Sequence, residues 1–158
     1  MNRHRLLKIL VQLSRFALVA LFLFTAGAKI LTARAFAENV SNLVGGRWAW
    51  PVTIGVIVGE LLAAALLVWP RTLRLGAVWS ALLLVGFAGY ALYYVYVLHG
   101  EPLECGCFGG IIASQLGVKT ALRNLALLIP ALLVIFGLPR LRRRERAKLE
   151  QPEASLTI

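Results

Sequence analysis

Charge is what this sequence has least of. Only 15% of its 158 residues are charged and 59% are hydrophobic, whereas an average soluble domain is about 25% charged. A chain of about 150 residues still leaves about 30% of its unfolded surface in contact with solvent after folding. So much apolar surface cannot be hidden in water, which excludes an ordinary soluble enzyme, and the same apolar excess excludes disorder and collagen. The strict apolar–polar alternation of a barrel strand is also missing, so the apolar runs read as helices. Acidic residues number 7 against 17 Lys and Arg, giving a formal charge of +10. Those cations sit in tails and short loops beside apolar runs rather than along one soluble face. That pattern points to membrane topology and away from nucleic acid. No internal repeat stands out, and there are 2 cysteines in all.

A bilayer core of about 30 Å needs roughly 20 apolar residues in helical form, and four runs of that kind are present. They are Leu10 to Leu31, Val52 to Trp69 after Pro51, Leu75 to Leu98, and Val118 to Leu138. The expected fold is therefore an all-α membrane protein, a four-transmembrane-helix bundle over 1–139. A basic, disordered tail follows over 140–158. Arg3, Arg5, Lys8, Arg71, Arg74, Arg140, Arg142, Arg143, Arg144, Arg146 and Lys148 fall on one side; Lys29, Arg34, Arg47, Lys119 and Arg123 fall on the other. This bias makes both termini cytoplasmic and turns the 1–2 and 3–4 connections outward. Arg15 is set aside as a snorkelling side chain. A competing reading is a cleavable signal peptide, since a basic start, the run Phe16 to Phe24 and Ala26-Gly27-Ala28 imitate one. The other three spans keep their orientation either way. Trp48, Trp50 and Trp69 and the cluster Tyr90, Tyr93, Tyr94 and Tyr96 read as interfacial belt residues.

Both cysteines lie in Glu104-Cys105-Gly106-Cys107-Phe108-Gly109-Gly110, within the outward 3–4 connection. An exoplasmic thiol pair meets an oxidising compartment. With one residue between them the chain must turn sharply to bring the two Cα atoms within disulfide range, which Gly106 permits. A ring so small stores strain, and strained, exposed disulfides are the labile or catalytic ones. The alternatives are a structural staple, a bond to a partner's cysteine, and a metal site using His99 and Glu104. A staple closing one residue removes almost no chain entropy. Cys-x-Cys lacks the second ligand pair of a closed zinc site, and no metal is expected.

Glu60 lies nine residues past Pro51, about 13 Å along the helix and close to the bilayer midplane. A carboxylate at that depth requires a partner or a polar cluster facing the bundle interior. Lys29 at the end of span 1, with Arg123 and Asn124 in span 4, are the groups that can supply one. Gly55 and Gly59 beside Glu60 suit close helix approach. An ion pair that only holds helices together is as good a reading of this cluster as a functional one.

Taken together, Ala26-Gly27-Ala28-Lys29-Ile30, Gly59-Glu60-Leu61, Glu104-Cys105-Gly106-Cys107-Phe108-Gly109 and Leu122-Arg123-Asn124 resemble the methylamine utilisation protein MauE family. That family falls within the wider DoxX-like group of four-helix membrane proteins. The resemblance implies a bacterial inner-membrane protein that supports periplasmic maturation of disulfide-containing proteins, in the namesake role the small subunit of methylamine dehydrogenase. It also implies a thioredoxin-like periplasmic partner and, through DoxX-like relatives, a quinone as electron acceptor. No residue here specifies methylamine. Under this reading Cys105 and Cys107 are the catalytic pair of a thiol–disulfide oxidoreductase, and Arg123 favours the thiolate. Two other classes stay open: a non-catalytic scaffold or chaperone for a periplasmic partner, and a small-molecule transporter using Glu60.

Overall fold

The structure, a computed structural model, describes residues 3–97, 118–139 and 141. Among the described residues it is all helix: α1 Arg3–Leu31, α2 Ala33–Val44, α3 Gly46–Val68, α4 Leu73–Tyr96 and α5 Val118–Ala126, the last resuming as helix over 128–139. Four stretches are long and apolar enough to cross a membrane: Arg5–Leu31, Gly46–Val68, Leu73–Tyr96 and Val118–Pro139. The chain is an all-α, four-span membrane bundle. Cys105, Cys107, Glu104, His99 and the basic tail, apart from Leu141, lie outside the described residues.

Each span buries one stripe and leaves the rest of its apolar surface outward, as a helix facing lipid must. In α1 the buried positions Val11, Ser14, Leu18, Phe22, Thr25 and Lys29 recur every three or four residues, the spacing of one helix face. Leu13, Phe16, Leu23 and Ile30 point away and are exposed. Val11, Leu18 and Phe22 join Ala63, Ala64 and Leu67 of α3, Leu73, Ala77 and Leu84 of α4, and Ala131 and Val134 of the fourth span in one core. With that share of the core, α1 is an integral wall of the bundle. Leu141 belongs to the same core, which therefore runs past Pro139.

The first helix starts at Arg3 rather than Leu10 and the third span at Leu73 rather than Leu75, and further differences have local reasons. The connection between the first two spans is not a loop, because α2 occupies it and buries Phe36, Ala37 and Val40. A single residue, Gly45, then reverses the chain into α3. Its backbone angles, φ 78° and ψ 154°, lie in a region open only to glycine. The second span thus starts at Gly46 rather than Val52, with Pro51 inside it. In the fourth span the helix is interrupted at Leu127. Pro130 has no N–H to offer the carbonyl of Ala126, so one rung of the ladder is lost there.

Polar groups at the ends are tied to neighbours. Arg15 is not a free snorkeller: its Nε donates to the Leu67 carbonyl at 2.8 Å and its Nη2 donates to the Val68 carbonyl. These are among the last carbonyls of α3, which have no partner within their own helix. Tyr90 and Tyr94 are also more than belt residues, since Tyr94 is buried and the Tyr90 hydroxyl donates to the Asn39 carbonyl of α2 at 3.4 Å. Trp48, Trp50, Trp69 and Tyr96 are exposed.

Close helix approach occurs at Gly76, not at the expected Gly55 and Gly59. A Cβ on Gly76 would lie 2.8 Å from the backbone of Leu66 and Leu67, whereas one on Gly55 would meet nothing within 4 Å and one on Gly59 only the Leu83 and Trp79 side chains at ordinary contact. The short turn between α3 and α4 brings the two backbones together there, and backbone cannot step aside cheaply. Gly76→Ala is expected to lower stability by about 1–3 kcal/mol. Gly55→Ala should be neutral or stabilising by up to about 1 kcal/mol, because glycine in a helix interior is the weaker former. Thermal unfolding of both variants in the same detergent checks the contrast.

Candidate functional site: a buried ion pair where five helices meet

The centre of the site is a salt bridge. Lys29 Nζ of α1 donates to Glu60 Oε1 of α3 at 2.8 Å, with both side chains 1% exposed. The hairpin geometry explains the match in level. Lys29 lies sixteen residues before Gly45 and Glu60 fifteen after it, so an antiparallel return along α1 and α2 sets them opposite one another. The helix rise of about 1.5 Å makes that one-residue offset trivial for a lysine stem.

Aromatic rings complete the lysine's surroundings. The ammonium lies 5.4 Å from the centroid of Phe36 in α2 and 5.4 Å from that of Phe87 in α4. Both are within range of a cation–π contact, worth about 2 kcal/mol when water is excluded. Neither phenylalanine was singled out in the sequence, because the search for polar partners passes over an apolar ring. The one available signal was the amphipathic spacing of Phe36, Ala37 and Val40, which marks α2 as a helix with a face to bury.

Span 4 brings Arg123 and Asn124 to the same place. They line a small cavity together with Leu21, Phe22, Thr25, Lys29, Glu60, Leu84, Phe87 and Leu127. The structure thus gathers four of the expected site residues, Lys29, Glu60, Arg123 and Asn124, around one point, while Cys105 and Cys107 are outside the described residues. The cavity measures about 20 Å³, room for about one water molecule. That volume does not fit a quinone ring or a transport substrate, and no group of metal-ligating side chains occurs among the described residues. Glu60 Oε2 and Asn124 Nδ2 are among the buried polar atoms of the cluster that have no hydrogen-bond partner.

Removing one member of such a pair leaves the other charge buried and uncompensated, whereas replacing both removes the problem. Lys29→Leu and Glu60→Leu are each expected to destabilise by about 3–5 kcal/mol, and the double variant by much less than their sum. Glu60→Gln should fall between wild type and Glu60→Ala, since the amide keeps volume and a hydrogen bond. Thermal unfolding of the set, read as a double-mutant cycle, measures the coupling.

Comparison with known proteins gives one finding. No curated protein and no solved structure matches the chain. The family model described as Methylamine utilisation protein MauE matches residues 7–137, a stretch that takes in all four spans, the whole ion-pair cluster and the Cys105–Cys107 segment. It leaves out residues 1–6 and those after Gly137. A match over most of the sequence, on a four-span bundle, shows that the chain belongs to the MauE family.

Proposed function

We propose that this protein supports thiol–disulfide chemistry on the outer side of a bacterial inner membrane, with Cys105 and Cys107 as the exchanging pair and both termini in the cytoplasm. The partner is a periplasmic thioredoxin-like protein. The pathway served is maturation of disulfide-containing proteins, of which the methylamine dehydrogenase small subunit is the family's namesake case. In each exchange a thiolate of one pair attacks the disulfide of the other, a mixed disulfide forms, and the second thiol resolves it. Two electrons and two protons pass between the pairs, so one disulfide is gained as one is lost.

The observation that carries this reading is where the buried cluster stands. Phe87 is within three turns of the end of α4, and Arg123 and Asn124 are within two turns of the start of α5. The helices on both sides of the cysteine-bearing segment therefore contribute residues to the buried cluster. Family membership and the Lys and Arg bias support the same reading.

Two measurements test it. After reduction, an impermeant thiol reagent added to intact cells should label Cys105 and Cys107. Protection until the membrane is permeabilised would reverse the topology. Cys105→Ser and Cys107→Ser should leave thermal stability within about 0.5 kcal/mol of wild type, and each should trap a mixed disulfide with the thioredoxin-like partner on a non-reducing gel. Full partner maturation by the double serine variant would reject the redox role and favour a scaffold.

A further inference from the structure

The carboxylate of Glu60 is only half satisfied by its lysine. Oε1 accepts a hydrogen bond from Lys29 Nζ at 2.8 Å, but Oε2 is buried with no hydrogen-bond partner. Asn124 is 5% exposed, and its Nδ2 is likewise buried without a partner. One atom is an acceptor and the other a donor. Both residues border the same cavity of about 20 Å³. A buried polar atom left without a hydrogen bond is costly, and few such atoms persist in native interiors unless an ordered water completes them. A cavity holds a water when it offers more than about 10–15 Å³ and two to four polar partners. This one has the volume, and three residues that carry polar side-chain atoms, Glu60, Asn124 and Thr25, line it. Lys29 and Arg123 also border the cavity, and the rest of its wall, Leu21, Phe22, Leu84, Phe87 and Leu127, is apolar.

We propose that this cavity is a built binding site for one internal water molecule, which donates to Glu60 Oε2 and accepts from Asn124 Nδ2. The water is then a polar joint between the α1–α3 ion pair and the fourth span. It extends the hydrogen-bonded network from Lys29 through Glu60 to α5, the helix that follows the cysteine segment. The inference stands on the geometry of the cluster alone, and its outcome is separate from that of the cysteine chemistry.

The full chain, reconstituted in lipid nanodiscs with nitrogen-labelled asparagine, gives a direct readout. Cross-relaxation between water protons and the Asn124 side-chain amide is expected, with the sign and persistence of a long-lived bound water. Absence of that signal from an assigned Asn124 amide would overturn the proposal without any mutation. Asn124→Leu keeps nearly the same volume and removes the donor, so the water loses a partner and Glu60 Oε2 loses its water. A thermal midpoint lower by about 2–4 °C is expected, the shift that corresponds to losing one modest buried interaction in a chain of this size. An unchanged or higher midpoint would mean a dry cavity that prefers an apolar wall, and would likewise overturn it.

Discussion

An ammonium and a carboxylate in hydrocarbon each cost several kcal/mol unless they meet, and most of this bundle is arranged around that requirement. Lys29 and Glu60 meet at 2.8 Å, but the contact depends on every other helix. The Gly45 reversal sets the level of the two residues, α2 supplies Phe36, and α4 supplies Phe87. Span 4 closes the remaining side with Arg123 and Asn124. Apolar stripes on four spans permit many rotations and slides, since lipid tails are as apolar as leucine and give no preference between them. One fixed polar contact removes that freedom. The ion pair therefore acts less as glue than as a register mark, selecting one arrangement from many of similar packing energy.

Small residues let this happen at close range. Ala26 and Ala28 flank the lysine side of α1, Ala63 and Ala64 follow Glu60, and Gly76, Ala77 and Ser80 line the facing stripe of α4. Where side chains are this short, helix axes approach and the long side chains that remain fill the space between. At the other end of α3 the same economy is seen in Arg15, whose guanidinium reaches across to the last carbonyls of that helix. Two long basic side chains of α1, fourteen residues apart, thus hold α3 at its middle and at its end.

The sequence made the four spans legible because hydropathy over about twenty residues is a strong, local signal, and Glu60 was legible because a single carboxylate interrupts an apolar run. The choice of Lys29 over Arg123 as its direct partner was not, since that depends on where the chain reverses. The helix α2 escaped notice for a related reason. With Arg34, Glu38, Asn39, Ser41 and Asn42 it fails any test for a span, and its packed face shows only at helical spacing. The Gly55 and Gly59 pair looked like a packing motif, yet the tight contact falls at Gly76, because a glycine's neighbours are set by the helix opposite. Arg15 read as a lone charge beside the membrane surface, since its partners are backbone carbonyls fifty residues away that no side-chain pattern announces.

The missing rung at Ala126 divides the fourth span into two rods of different attachment. The second rod is wedged against α1, where Gly137 admits Val11 so closely that an added Cβ would lie 2.7 Å from it. The first rod carries Arg123 and Asn124 and touches α4 through Ala121. A helix with an intact ladder would pass any tilt of one end straight to the other. The lost rung near Pro130 instead separates two sets of contacts, one piece seated on α1 and the other on α4 and the ion-pair cluster.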